Sequence, residues 1–254
     1  MTDSGDSTPS SPDSGGDAAH THDDAISTNQ DVDGSDHARA HVEPGGPFWL
    51  ENLGHALVRK ASVSEMNNNC YLLTCRRSGE QLLIDAADDP SRLADLIAAG
   101  SGRLTAVVTT HQHWDHHRAL TAVVEEFAPR TAAGAPDAAA LPVPPDLELA
   151  HGDRISVGEL LLDVIGLRGH TPGSVALALT DGSGRAHLFT GDSLFPGGPG
   201  KTPDAEAFTS LMDDLEARVF AVYPDNTVVH PGHGDSTTLG AERPQLSEWR
   251  ARGW

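Results

Sequence analysis

Positive charge is scarce in this sequence. Its 254 residues include 17 Lys and Arg against 37 Asp and Glu, which gives a formal net charge of −20. A nucleic-acid-binding surface needs clustered basic residues to meet the phosphates, so we expect no nucleic-acid partner. Attraction to an anionic membrane surface is disfavoured for the same reason. A run of about 18 or more apolar residues is also missing, so the sequence predicts no membrane span.

Cysteine is nearly absent as well, with only Cys70 and Cys75. They lie five residues apart in a strand-like stretch, so their side chains should point to opposite faces and form no disulfide. The residues that follow Met1 include neither the basic nor the apolar region of a secretory signal. Together these features predict a protein of the reducing cytoplasm.

The first 44 residues differ in composition from the rest of the chain. They contain ten acidic residues, one base and few large apolar side chains. Such a segment buries too little surface to offset the entropy lost on ordering. We therefore predict that residues 1–46 form a disordered acidic tail and that residues 47–254 form one folded domain.

Short apolar runs alternate with helical patterns in this domain. The patterns predict strands over 70–74, 81–85, 104–110, 154–167 (two strands), 174–180, 186–190 and 227–230, and helices over 91–99, 117–127 and 205–222. Residues 131–150, rich in Ala and Pro, predict a loop. Because strands and helices do not alternate strictly, we expect an α/β fold with two sheets covered by helices.

Histidine is abundant, with 14 residues. Directly after the predicted strand 104–110 come four residues of metal-ligand type, His111, His113, Asp115 and His116. Imidazole suits zinc or iron and carboxylate suits harder ions, so the mixture indicates a transition-metal site. A single tetrahedral cation could not take all four from so short a loop without strain. Two neighbouring cations could, with His111 and His113 on one and Asp115 and His116 on the other.

Three later strands each end in a turn that is rich in Gly or Pro and holds one further residue of ligand type. These residues are His170, Asp192 and His233. Glycine permits the close backbone approach that a crowded metal pocket requires. We expect four strand ends to converge at one edge of a sandwich.

The pattern His111-x-His113-x-Asp115-His116, followed by His170, Asp192 and His233, resembles the metallo-β-lactamase superfamily. Within it, the resemblance is to the hydroxyacylglutathione hydrolase (glyoxalase II-like) group, and it extends over roughly residues 60 to 235. The resemblance implies an αββα sandwich of two mixed sheets flanked by helices, with the site at one edge. It also implies that residues 47–254 are a hydrolase domain.

The resemblance further implies a role for each residue. His111, His113 and His170 would bind one metal, Asp115, His116 and His233 would bind the second, and Asp192 would bridge them. Asp85 matches an acidic residue that supports the site. The implied cofactors are two divalent metal ions, zinc first, with iron or manganese as alternatives. Five further histidines match no ligand position and are expected on the surface, behind the ligands or in the core: His55, His117, His151, His187 and His230. Trp114 is expected in the pocket wall or the core, with substrate contact as the alternative.

The implied activity is hydrolysis, with Asp115 and Asp192 orienting the nucleophile. A pair of cations lowers the pKa of a shared water toward about 7, which supplies hydroxide for attack on a carbonyl. A thiolate with a pKa near about 8.5 leaves without a strong acid, so a small-molecule thioester or ester is favoured over an amide. Lys201 matches a basic residue that contacts the carboxylate of the thiol carrier, and a solvated loop lysine is the alternative.

Departures from the family keep the substrate open. Only 21 residues follow His233, where glyoxalase II has a helical domain, and Gly234 and Asp235 stand where the family has a Tyr. A thiol carrier other than glutathione, a lactone or another ester therefore remains. Two other functions are alternatives to a hydrolase. One is a mononuclear iron oxygenase related to persulfide dioxygenases, and the other is a metal-stabilised binding protein that uses its acidic tail.

Overall fold

The structure is a computed structural model that describes Met1 and residues 40–253. The disorder predicted for residues 2–39 lies outside the described residues. Residues 40–46 are described, and there Ala40 and Val42 are buried against the domain. Lys60, itself buried, fastens this segment by donating from Nζ to the carbonyl oxygen of Ala40 at 2.8 Å. None of the described helices is long and apolar enough to cross a membrane.

The first sheet has seven strands in sequential order. Strands one to four pair antiparallel, and strands four to seven pair parallel. Its strands are β1 Trp49–Asn52, β2 Ala56–Val63, β3 Asn68–Cys75, β4 Gln81–Ile84, β5 Leu104–Thr109, β6 Arg130–Gly134 and β7 Leu147–Leu149. The central strands β3 and β4 are buried along their whole length, as continuous apolar runs predict for strands covered on both faces.

The second sheet has six strands and is also mixed, because strand 186–191 pairs parallel with strand 228–231 while all other neighbouring strands pair antiparallel. Its order is β15 Thr237–Thr238, β14 Val228–Pro231, β11 Ala186–Gly191, β10 Val175–Thr180, β9 Leu160–Gly166 and β8 Arg154–Val157. A small ribbon of β12 Leu194–Phe195 and β13 Gly198–Pro199 follows β11.

Helices cover the outer face of each sheet. They are α1 Pro90–Ala98, α2 Leu120–Phe127, α3 Ala205–Leu215, α4 Leu239–Glu242 and α5 Leu246–Arg252. One apolar cluster fills the space between the sheets, with Leu82 and Leu177 among its members. A second joins α1 and α2 to the first sheet, and a third joins α3 and α5 to the second sheet. The fold is therefore the expected αββα sandwich.

The structure confirms the prediction for the cysteines and corrects the predictions for one loop and one helix. Cys70 and Cys75 are free, buried and packed in different clusters on the two faces of β3, as expected. The loop predicted over 131–150 is wrong, because it contains most of β6, a 3-10 segment Ala135–Ala140 and β7. Its Ala-rich strand has low intrinsic strand preference and is held by parallel pairing with β5 instead. The helix predicted from residue 117 begins at Leu120, after a 3-10 turn over Trp114–His116.

Candidate metal centre

Four strand ends meet at one edge of the sandwich. The segment that carries His111, His113, Asp115 and His116 follows β5 of the first sheet. In the second sheet, His170 follows β9, Asp192 follows β11 and His233 follows β14. The structure therefore brings together all seven side chains that the sequence singled out.

Three histidines form the first group. His113 Nδ1 lies 2.9 Å from His170 Nε2, and the His111 ring stands edge-on to both partners with centroid separations of 4.8 Å. His170 Nδ1 donates to the carbonyl oxygen of Lys201 at 2.6 Å, so its Nε2 is left with a lone pair that faces the group. Three imidazoles converging in this way match a transition-metal site.

Asp115, His116 and His233 form the second group. The Nε2 atoms of His116 and His233 are 3.1 Å apart, and His233 Nε2 is 3.4 Å from Asp115 Oδ2. His233 Nδ1 donates to the carbonyl oxygen of Met66 at 2.8 Å, which points Nε2 into the site. The potential ligand atoms of the three residues all lie within 4.8 Å of one another.

Asp192 lies between the two groups. Its Oδ1 is 3.3 Å from His116 Nε2, and its Oδ2 is 3.4 Å from His233 Nε2 and 3.6 Å from His170 Nε2. One carboxylate thus contacts residues of both groups. Its Oδ1 and the Nε2 of His111 are buried and have no hydrogen-bond partner among the described residues.

Asp85 supports the second group, as the family resemblance implied. Its side chain accepts from the Thr110 backbone N–H at 2.7 Å, from the Thr110 hydroxyl at 2.8 Å and from His116 Nδ1 at 2.9 Å. The last contact places the proton of His116 on Nδ1 and leaves Nε2 free for a cation. The backbone of Asp85 has a φ of 60°, a conformation that Asp and Asn tolerate better than most residues.

Asp137 supports the first group by holding the loops that carry it, and sequence reasoning missed this residue. Its carboxylate accepts from the backbone N–H of Gln112 at 2.9 Å and of Gly173 at 2.7 Å, and from the Thr171 hydroxyl at 2.5 Å. These bonds join the loop of His111 and His113 to the loop of His170. An acid inside an Ala/Pro-rich stretch gave no signal of this role.

Asn68, at the start of β3, is the second residue that the sequence analysis missed. Its Nδ2 donates to Asp115 Oδ2 at 3.0 Å and to the Asp115 carbonyl at 3.1 Å, while its backbone pairs with His233. Asn69 secures the same loop by donating from its backbone N–H to the carbonyl of Gly232 at 2.8 Å. The run Asn67-Asn68-Asn69 before a predicted strand was the available signal.

Charge is distributed unevenly across the site. Burial lowers the pKa of His111 well below its ordinary value. The pKa of His116 is raised to about 10, because contacts with Asp192 and Asp85 outweigh the opposing effect of burial. The pKa of His233 is raised to about 9, where Asp115 and Asp192 outweigh burial in the same way. The carboxylates therefore stabilise positive charge beside these two imidazoles, which is the charge that a bound cation would supply.

Gly232 leaves room for the bridging carboxylate. A Cβ atom at this position would lie 2.2 Å from Asp192 Oδ1 and 2.7 Å from His116 Cε1. Gly200 lies close to the backbone of Asp192, where a Cβ atom would lie 1.8 Å from its carbonyl oxygen. Both turns therefore require glycine for the backbone to approach the site.

The remaining candidates lie around the centre. The side chain of Lys201 is exposed, and its backbone carbonyl holds His170. Trp114 is exposed and stacks under the Arg118 guanidinium at 4.0 Å. A cleft of about 360 Å³ opens beside His170, with Arg168, Pro172, Pro203 and Ala207 among its lining residues. Of the other histidines, His55 and His151 are exposed, whereas His117, His187 and His230 are buried.

Comparisons with known proteins agree with this geometry. A family model described as the metallo-beta-lactamase superfamily matches residues 63–233. A hydroxyacylglutathione hydrolase of Ruegeria pomeroyi is 34% identical over 171 residues, which cover 66% of this chain and 62% of that protein. The chain thus spans less than two thirds of that relative's length.

Solved structures show the same similarity. The crystal structure of ETHE1 from Myxococcus xanthus has a TM-score of 0.66 and 28% identity, covering 76% of this chain and 84% of that chain. TTHA1623 in a di-iron-bound form has a TM-score of 0.61 and 31% identity, covering 72% of this chain and 96% of that chain.

Proposed function

Because this chain belongs to the metallo-beta-lactamase superfamily, we propose that it is a binuclear metal-dependent hydrolase of small-molecule thioesters or esters. The observation that carries the proposal is the position of Asp192, whose two oxygens face residues of both groups at 3.3–3.6 Å. A shared carboxylate between two sets of imidazoles is the arrangement that a pair of cations needs.

The side chains fit two divalent ions. Two pairs of ring nitrogens lie close together, His113 with His170 at 2.9 Å and His116 with His233 at 3.1 Å. In neutral imidazoles at most one nitrogen of each pair can donate, so lone pairs face the site. Cations would use the facing lone pairs, and they would also satisfy the orphaned His111 Nε2 and Asp192 Oδ1. His111, His113 and His170 would hold one ion, Asp115, His116 and His233 the other, and Asp192 both. We propose zinc, which suits this donor set, with iron and manganese as alternatives.

Bound ions would supply Lewis acidity and an activated water at neutral pH. The protein supplies the orientation of the groups that hold them. Asn68 holds Asp115 Oδ2, the oxygen that faces His116 and His233, in position. Asp85 sets the proton position on His116, and the carbonyl of Lys201 sets it on His170.

The cleft beside His170 is the proposed substrate site. Its volume of about 360 Å³ accommodates a small acyl group and part of its carrier. Lys201 is exposed and its backbone carbonyl contacts His170, so we propose that its ammonium attracts a carboxylate of the thiol carrier. The relative from Ruegeria pomeroyi is named for a glutathione thioester, and we propose the thioester class for this chain with the carrier left open.

The leaving group supports thioesters and esters over amides. The Nε2 atoms of His116, His170 and His233 face the centre, and their Nδ1 atoms donate to the Asp85 carboxylate and to the carbonyls of Lys201 and Met66. Among the described residues the site therefore offers no separate acid for an amine leaving group, whereas a thiolate departs unaided. The two free, buried cysteines fit the reducing cytoplasm that we propose as its location.

The test measures metal content and hydrolysis together. Wild type, His113→Ala and Asp192→Ala would be loaded with zinc, analysed for metal and assayed against thioesters, esters and lactones, with His151→Ala as an exposed-histidine control. We expect the control to match wild type and both site variants to lose at least about 100-fold in kcat/KM. Equal rates in all four proteins would refute the hydrolase. One iron per chain and oxygen consumption in wild type that is analysed before zinc loading would favour the iron oxygenase instead.

A further inference from the structure

We propose that Glu51, His187 and His230 form a separate site for one divalent transition-metal ion of the zinc class, buried between the two sheets. Glu51 lies on β1 of the first sheet, and the histidines lie on the neighbouring strands β11 and β14 of the second. This group shares no residue with the centre described above. The inference therefore stands whether or not the proposed hydrolase activity does.

The potential ligand atoms have spacings suited to a common ion. His187 Nδ1 is 3.2 Å from His230 Nε2 and 3.9 Å from Glu51 Oε2, and all three atoms lie within 4.8 Å of one another. Metal–ligand bonds of about 2.0–2.1 Å in a tetrahedron place neighbouring ligand atoms roughly 3.3 Å apart. The two nitrogens already have this separation, whereas the Glu51 oxygen, 3.9 Å from His187 Nδ1 and within 4.8 Å of the His230 ligand atom, would move closer on binding.

The group is not satisfied by its own hydrogen bonds. Both histidines are fully buried. The contact between His187 Nδ1 and His230 Nε2 uses one proton, so without a cation one of these two nitrogens acts as donor and the other as acceptor. Glu51 Oε2 is buried and has no hydrogen-bond partner among the described residues. Burial raises the pKa of Glu51 to about 7 and lowers that of His187 to about 4. A cation would compensate the carboxylate and accept both nitrogen lone pairs.

The outer nitrogens of both imidazoles face oxygen atoms. His230 Nδ1 is 2.9 Å from the Ser236 hydroxyl, and His187 Nε2 is 3.5 Å from Asp181 Oδ2. Histidines that bind metals almost always direct their second nitrogen at an oxygen of this kind, which fixes the ring and raises its basicity. His230 thus has a hydrogen-bonded outer partner, whereas His187 Nε2 faces the Asp181 carboxylate without a hydrogen bond among the described residues.

The surroundings favour a structural ion over a catalytic one. Phe189 stacks on His230 with a centroid separation of 4.9 Å, and Tyr71 and Trp49 stand at 5.5 and 6.1 Å. Such an aromatic wall excludes substrate and strengthens the attraction between ion and carboxylate. The ion would join edge strand β1 to the second sheet and so contribute to the stability of the sandwich.

The first experiment compares metal stoichiometry. Full-length wild type, Glu51→Gln and the control Glu148→Gln, an exposed glutamate on edge strand β7, would be equilibrated with zinc at sub-micromolar free concentration and analysed for bound metal. We expect Glu51→Gln to bind one ion fewer per chain than wild type and control, while its hydrolysis of a thioester is unchanged. Equal stoichiometry in all three proteins would overturn the site.

The second measurement needs no variant and so does not depend on whether Glu51→Gln folds. Crystals of the zinc-loaded wild type would be measured at the zinc absorption edge. The proposal expects an anomalous peak bounded by Glu51 Oε2, His187 Nδ1 and His230 Nε2. Peaks only at the seven-residue centre would overturn it while leaving the proposed hydrolase intact, and peaks only here would do the reverse.

Discussion

Replacing Asp85 with Asn tests how the protein prepares His116 for a cation. The carboxylate accepts three hydrogen bonds, two from Thr110 and one from His116 Nδ1. An Asn has one accepting oxygen, which the Thr110 backbone N–H retains because that group can only donate. The amide NH2 then faces His116 Nδ1. Because this amide can only donate, the proton of His116 must move from Nδ1 to Nε2, the nitrogen directed at His233 and Asp192.

The expected loss follows from this change of tautomer. Removing an outer partner of a ligand histidine costs about 10–100-fold in metal affinity, or about 1.4–2.7 kcal/mol. The ion held by Asp115, His116 and His233 should weaken by this amount, whereas the ion of His111, His113 and His170 should change little. Asn tolerates the φ of 60° at this position, so backbone strain adds nothing to the effect.

A chelator competition at fixed pH measures both affinities. The control is Asp88→Asn. It removes a carboxylate from the same loop that contacts partly exposed Arg118 at 2.7 Å and the Asp89 backbone N–H at 2.8 Å. We expect the control to bind both ions as wild type does. Unchanged affinity for both ions in Asp85→Asn would refute the claim that Asp85 sets the proton position on His116.

Three further predictions follow from contacts around the centre. Gly232→Ala should displace Asp192 and lower metal affinity and kcat, since its Cβ would lie 2.2 Å from Asp192 Oδ1; Gly182→Ala, with 3.5 Å to its nearest neighbour, should leave both unchanged. Lys201→Ala should raise KM about two- to fivefold for thioesters of an anionic carrier, as expected for an exposed charge, and Lys201→Arg should restore it. Burial lowers the pKa of Lys60 from 10.5 to about 8, so between these pH values the unfolded chain binds more protons and the free energy of unfolding should rise with pH. Denaturant titrations at pH 8 and pH 10.5 should show that the free energy of unfolding rises by up to about 3 kcal/mol less in Lys60→Met than in wild type.

The sequence predicted those parts of the site that residue type and strand position determine. His111, His113, Asp115 and His116 follow β5 directly, and each later ligand candidate follows its own strand. Convergence was predictable because strand ends in a sandwich meet at one edge. The assignment of each residue to a particular ion remains a prediction.

Residues that act through long-range hydrogen bonds were not predictable from the local pattern, and Asp85 was expected only through the family resemblance. Asp137 lies in a stretch without periodicity, and its role comes from bonds to Gln112 and Gly173, which are 25 and 36 positions away. Strand β6 was missed for a related reason, since its Ala-rich sequence carries no strand preference and parallel neighbours hold it. Glu51, His187 and His230 likewise come together only when the sheets pack.

The centre depends on the packing of the two sheets, because each proposed ion takes ligands from both. His113 comes from the first sheet and faces His170 of the second, and His116 of the first faces His233 of the second. The first sheet also secures the His233 loop directly, since Tyr71 donates from its hydroxyl to the Pro231 carbonyl at 2.8 Å. Metal binding should therefore stabilise the association of the sheets, and loosening of the core between them should reduce metal affinity even where no ligand has changed.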